Sequence, residues 1–337
     1  MLENAEMQDI LARFGLTFQS VTKVHDTSHG EEDTRLNYIL DDRYVLKVNT
    51  EGVMWETRLQ EISRLIQRYR GIGICCPALI PTLEGSLSCH WEKDGKKYIC
   101  YAEEFAIYPI LEWDNDHDRK EVVEHLGLLA AKYTGVDLSE TKSMWSIIDL
   151  ALLDVDVDEK QENTNALVDA LRENGYADLA DQVEALNKEL RKQIMKVFAD
   201  LPRCAYQGDL NSSNELHQDG HFVGLIDFNL SGTDVNINVF VNETNCFPEE
   251  EEFDRLTVEQ MVEQMEAQQA DMLSVIFKHY TMNDIEKFAF PMYQRIADLF
   301  QWPNVCSMVK WLKEEARRDK CIALIHALVE KPWSYNV

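Results

Sequence analysis

The feature that most constrains this chain is one non-helical island, residues 203–245, set between two blocks of helical patterning. It contains Tyr206-Gln207-Gly208-Asp209-Leu210-Asn211-Ser212-Ser213-Asn214, followed by Val223-Gly224-Leu225-Ile226-Asp227-Phe228-Asn229. Asp209 and Asn214 are five apart in a polar loop, and Asp227 lies thirteen further on, directly after an apolar run. Asp219-Gly220 stands between Leu216 and the run 222–226, so a short β-hairpin is expected there. Reactive side chains tend to sit on loops held by rigid elements, which makes this island the place to look for chemistry.

The flanks differ from each other. Before residue 110 the pattern is strand-rich: 20–24, 35–40 and 44–48 carry β-formers between turn signals, with Asp41-Asp42 as a tight turn. A helix over 54–70 follows, with Leu59, Ile62, Leu65, Ile66 and Tyr69 at helical spacing. Gly71 and Gly73 close it, and Gly71-Ile72-Gly73 reads as a C-cap rather than half of a dinucleotide motif. Strands 86–91 and 97–103 are joined by Asp94-Gly95. After Pro109 helices dominate: 121–133, 166–171, 176–201 and most of the chain beyond 256, including 305–328. The expected class is therefore α+β. A small antiparallel β lobe with one helix spans 1–105, and a larger, mainly helical lobe spans 106–337 and carries the loop 204–234.

Composition excludes other uses. Lys and Arg number 33 against 60 Asp and Glu, a net charge of −27, so neither a nucleic-acid grip nor an anchor on an anionic membrane is expected. No apolar run approaches the roughly 20 residues of a membrane helix, and Met1-Leu2-Glu3-Asn4-Ala5-Glu6 lacks a basic leader. The eight cysteines form no CxxC pair and read as reduced, mostly buried thiols. Together these point to a cytoplasmic protein.

Oxygen ligands few in number suit Mg²⁺, which takes the rest from water and phosphates. A strand-end Asp227 across a hairpin from Asn214 offers such a pair, and Asp209, left off the metal, can accept a proton from an incoming alcohol. Phosphoryl-transfer enzymes divide the labour in that way. At these residues the chain resembles the aminoglycoside phosphotransferase and choline kinase superfamily, small-molecule kinases with a protein-kinase-like fold. That family's catalytic loop reads His-Gly-Asp, four residues, then Asn. Gly208-Asp209 and Asn214 match it, Asp227 matches the post-strand metal aspartate, and Gln207 departs from the histidine. Asp234 and Asn238 stand where two structural carboxylates are common, Asn238 being the second departure. The resemblance implies a two-lobed fold, Asp209 as catalytic base, and Asn214 and Asp227 as magnesium ligands for ATP.

A kinase also needs a cation for the phosphates, and Lys47 in Tyr44-Val45-Leu46-Lys47-Val48 fits. Its carboxylate partner is expected from the next helix, as Glu61 with Glu56 the alternative. The phosphate-covering loop over 27–32 has one glycine, so Ser28 is its candidate contact. By resemblance the adenine would meet the linker Glu103-Glu104-Phe105-Ala106. The acidic stretch 154–159 lacks an EF-hand's Gly and Glu and reads as a solvated loop. The run 249–252 is either a solubilising loop or one wall of a pocket for a cation. The reading is an ATP-dependent phosphotransferase acting on a hydroxyl of a small molecule. The acidic surface favours an aminoglycoside-like or other amine-bearing alcohol. A regulatory pseudokinase and a protein kinase stay open as alternatives, although no Asp-Phe-Gly occurs. Oligomeric state is not legible.

Overall fold

The computed structural model describes residues 2–30, 33–52, 54–110 and 119–331. By internal contacts the chain forms two compact units, Met1–His117 with Asn211–Asn229, and Asp118–Leu210 with Leu230–Val337.

The first unit is built on an antiparallel sheet. Its strands are β1 (Val21–Asp26), β2 (Arg35–Leu40), β3 (Tyr44–Thr50), β4 (Leu79–Ile80), β5 (Cys89–Lys93) and β6 (Lys96–Glu104). They run in the order β1-β2-β3-β6-β4, with β5 also on β6. The Asp-led turns act as expected: Asp41 and Asp42 both have positive φ, as do Asp94-Gly95 and Asp219-Gly220. The last two are two-residue hairpin loops, whose twist needs φ above zero at both central positions. The sheet residues Leu36, Tyr38, Leu40, Leu46, Val48 and Cys100 bury one face against α1 (Asn4–Ala12), through Met7, Ile10 and Leu11. That helix went unread in the sequence; a Glu3/Glu6 capping box starts it.

Helix α2 (Glu56–Gly71) carries the expected apolar stripe and ends through Ile72, with Gly73 at φ +92°. The island supplies β8 (Glu215–Gln218) and β9 (His221–Leu225), the expected hairpin. Gly224 lies so close to Cys75 that an added Cβ would stand 2.1 Å from the Cys75 carbonyl oxygen.

The second unit is helical around one short strand pair, β7 (Arg203–Tyr206) with β10 (Gly232–Val235). Its helices are α3 (Arg119–Tyr133), α4 (Glu159–Glu173), α5 (Ala177–Met195), α6 (Asn236–Glu243) and α7 (Glu250–Arg255), then α8 (Val258–Ile276), α9 (Asp284–Phe300), α10 (Trp302–Lys313) and α11 (Glu315–Glu330). Helix α4 begins earlier than its apolar pattern shows, because Asp158 caps it. Asp158 is 4% exposed, accepts from Gln161 N, and pairs with Arg191 at 2.6 Å. So at Asp158 the stretch expected to be a solvated loop is a buried cap. The expected helix 305–328 is broken at Glu314, whose backbone is extended. Arg318 Nε donates to the Leu312 carbonyl there, 2.7 Å away, satisfying an end that no Gly or Pro marks.

The α+β class, with an antiparallel sheet and a mainly helical remainder, is the one expected. Among the described residues no helix is long and apolar enough to cross a membrane. None of the eight cysteines is in a disulfide.

Candidate active site

The candidate residues divide between the two units. In the first, Lys47 is buried on β3, opposite Tyr101 on β6, in a register that puts Val45 opposite Glu103. Opposed residues share a face, and diagonal neighbours reach each other. Lys47 Nζ accordingly meets Glu103 Oε1 at 3.0 Å and lies 5.8 Å from the centre of the Tyr101 ring. Burial alone would depress the Lys47 pKa, but Glu103, Tyr101 and Asp227 together drive it upward, so the ammonium is held charged.

The expected partner on α2 is corrected by this geometry. Glu61 accepts from Arg58 Nη1 at 3.3 Å. Glu56 accepts from Leu87 N at 2.9 Å and from Ser88 Oγ at 2.5 Å. Sheet register, which places a carboxylate on the lysine's own face, decides the pair.

Asp227 directly follows the apolar strand end and has φ +54°, a left-handed conformation that Asp accepts more readily than most side chains. Asn229 N donates to Asp227 Oδ1 at 3.2 Å, closing an Asx turn. Asn214 is brought alongside by the hairpin: Glu215 opposes Leu225, and Ile226 N donates to the Asn214 carbonyl at 2.9 Å. Asn214 is 7% exposed. One carboxylate and one amide oxygen on adjacent strand ends make an all-oxygen set. That chemistry fits Mg²⁺, which needs few protein ligands when phosphates and water complete the octahedron.

Ser28 is engaged locally: its hydroxyl accepts from Arg35 N at 2.9 Å, and part of its loop, 31–32, lies outside the described residues. In the linker, Glu104 N donates to Ala78 O and Phe105 N to Arg43 O, at 2.9 and 3.0 Å. A contact from Phe105 to an adenine would therefore use its ring or its carbonyl rather than its amide. Glu103 sits in the sheet, with its side chain on Lys47.

In the second unit, Asp209 is half-buried just past β7. Gly208, at φ +86°, leaves only 2.3 Å between a hypothetical Cβ and the Leu230 carbonyl oxygen, so the loop requires glycine. Gln207 is fully buried and accepts from Asp209 N through Oε1 at 2.7 Å. This departure from the resembled pattern thus props the loop itself. Arg119 Nη1 donates to the Leu210 carbonyl at 2.7 Å, and its Nη2 pairs with Glu243 at 2.9 Å. Asp234 is buried behind the loop on Ser143, Asn238 and its neighbour Val235 N. Burial raises its carboxyl to about 6 despite those bonds. Asn238 donates to both Asp234 oxygens at 3.1 Å, so the second departure is a partner to the carboxylate rather than a second one.

Beside Leu230 a groove of about 110 Å³ is lined by Leu152, Leu153, Asp154, Glu159 and Glu162, and by a cation, Lys142. Burial, then the charges of Asp158, Glu162 and Glu159, push the Asp154 pKa up. The acidic run 249–252 has other employment: Glu250 pairs with Lys310 and, at 2.6 Å, with Arg317, while Glu249 and Glu252 form the capping box of α7. It is not a wall awaiting a cation. Residues the sequence reading missed are Arg58, Tyr101 and Asn229. The one signal for Arg58 was its Glu61 partner at i+3, which on a helix rich in charged residues looks like an ordinary surface pair.

The profile of the phosphotransferase enzyme family (APH) matches residues 27–235. No curated protein has a sequence that matches the chain. Among solved structures, the chain is similar to a microcompartment-associated aminopropanol kinase, with TM-score 0.51, 11% identity, and 97% of this chain and 95% of that one covered. It is also similar to an amicoumacin kinase in complex with AMP-PNP, Ca²⁺ and Ami, with TM-score 0.50, 11% identity, and 94% and 91% covered. At such identities these likenesses concern the fold.

Proposed function

The chain belongs to the phosphotransferase enzyme family, and from that premise we propose that it moves the γ-phosphoryl group of ATP to a hydroxyl of a small amine-bearing molecule. One observation carries the reading. The first unit sets a buried, charged Lys47 within electrostatic reach of Asp227, and the hairpin register puts Asn214 abreast of that strand end. A cation for phosphates and oxygen ligands for a metal are thus assembled in one compact unit.

Lys47, oriented by Glu103, would meet the ATP phosphates. Asn214 and Asp227 would hold magnesium, which when bound neutralises phosphate charge. Asp209 would align the acceptor hydroxyl and take its proton; the oxygen then bonds to the γ-phosphorus as the bond to the ADP oxygen breaks, with its electron pair leaving on ADP. Almost all the catalysis is positioning and charge stabilisation.

The acceptor class is supported by the groove beside Leu230. Its leucines suit a carbon skeleton. Glu159 is paired with Lys160 at 3.5 Å and the lining Lys142 lies 3.8 Å from Asp149, so Asp154 and Glu162 are the carboxylates an ammonium would meet. Leu230 packs its carbonyl against Gly208, so this groove borders the Asp209 loop within the same unit.

The test is an ATP-consumption screen over amino alcohols, amino sugars and neutral polyols, followed by Asp209→Asn on the best acceptor. Turnover is expected to fall by about 10³-fold or more with ATP affinity retained. Near-normal turnover in that variant would remove Asp209 from the chemistry. A panel in which only neutral polyols react would overturn the amine.

A further inference from the structure

We propose that Arg58 is a positioning residue for the metal-holding segment: its guanidinium ties α2 to the Asn229 carbonyl and so fixes the turn that presents Asp227. The inference rests on the reading of Asp227 as a metal ligand. It begins with a turn. Asp227, at φ +54°, is a residue type that accepts the left-handed region, and its Asx turn keeps one direction only when the residues that follow are pinned. Three contacts pin them. Arg58 Nη2 donates to Asn229 O at 3.2 Å. Tyr101 OH donates to Asn229 Oδ1 at 3.5 Å, a long contact that adds less. Phe228, itself buried, meets the Tyr69 ring edge-on at 5.5 Å between centres.

Two of these anchors, Arg58 and Tyr69, stand on the same helix about three turns apart. Helix α2 therefore grips both residues that follow the aspartate, one by a charged hydrogen bond and one by a ring contact. Arg58 is 1% exposed, with Glu61 as its counter-charge at 3.3 Å. A buried guanidinium serves here because its fork reaches Glu61 and the Asn229 carbonyl at once; an ammonium is a point charge with no such fork. This helix-to-strand-end tie does the anchoring in a chain whose strand lysine is paired within the sheet instead.

The test measures metal binding rather than turnover. Mn²⁺ dissociation from the ADP-saturated full-length chain is followed by electron paramagnetic resonance for the wild type and for R58M, R58K and D227N. R58M is expected to weaken Mn²⁺ by about tenfold, as loss of a ligand's supporting partner does, and R58K by less. Metal-free ADP affinity should not change in either. Unchanged Mn²⁺ affinity in R58M overturns the proposal, as does a parallel loss of metal-free ADP affinity, which marks general damage. If R58M shows no thermal unfolding transition, R58K decides alone, and wild-type Mn²⁺ affinity in it overturns the proposal. D227N separates the layers. Wild-type Mn²⁺ binding in D227N overturns the metal reading and this inference with it. Lost binding in D227N with intact binding in the Arg58 variants overturns this inference alone.

Discussion

Lys47 shows how far a residue can be read without its neighbours. Its place on an apolar strand marked it for phosphates, but its partner was fixed by the register of β3 on β6, which no local pattern encodes. Removing one member of a buried pair leaves the other uncompensated. Glu103→Gln should therefore destabilise the chain by about 2 kcal/mol. That is below the roughly 3–5 kcal/mol of a fully buried pair, because both side chains keep some exposure and Asp227 still faces the lysine. Chemical denaturation of Glu103→Gln, Lys47→Met and the double variant measures it; additive losses would show that the two residues are not coupled. Asp234 is legible in the same partial way: its position marked a structural carboxylate, but not its protonation. Burial lifts its carboxyl from 3.8 to about 6, so between those values the folded chain holds a proton that the unfolded chain has lost. Stability from this residue thus falls as pH rises through that window, by up to about 3 kcal/mol. Asp234→Asn should lack that slope, and unfolding free energies of both proteins at about pH 4 and about pH 6 test the difference.

Elements were legible where a local rule governs them. Three Asp-led turns, the 35–40 strand and the capped end of α2 follow from turn chemistry and periodicity, which act over a few residues. The strand pair β7 and β10 was not, since its partners are far apart in sequence and each strand has four residues. The Asp209–Asn214–Asp227 spacing was visible because a loop, a hairpin and a strand end are contiguous, whereas Arg58 and Tyr101 join Asn229 only through tertiary contact. Helix packing gives a further case. Gly127, inside α3, reads as a mild weakness for a helix, yet an added Cβ would stand 2.3 Å from the Ile276 carbonyl oxygen at the end of α8. The glycine permits the close approach of α3 and α8. Gly127→Ala gains helix propensity of about 1 kcal/mol but forces backbone apart, so a net loss of about 1–2 kcal/mol is expected. A melting temperature at or above the wild type would show that α8 yields without cost.

At the scale of the whole molecule the charge of −27 is the dominant fact. Some of it is neutralised inside the fold, as where Arg317 gathers Glu250, Asp254 and Glu314. The remainder repels itself, and salt screens that repulsion: the Debye length shortens from about 30 Å at 0.01 M to about 8 Å at 0.15 M. The melting temperature should therefore rise over that range, against the fall expected if exposed ion pairs dominated stability. The same field draws a cation toward the protein and falls off with the same screening length. For an ammonium-bearing acceptor, kcat/KM should drop as salt rises, mainly through KM, while a neutral polyol acceptor at the same site should be nearly indifferent. Replacing Asp154 and Glu162 with Asn and Gln should raise KM for the amine and flatten its salt dependence, because these two line the groove beside Leu230. If the salt slope survives that double replacement, the attraction comes from the general surface, and the groove is not where the ammonium binds.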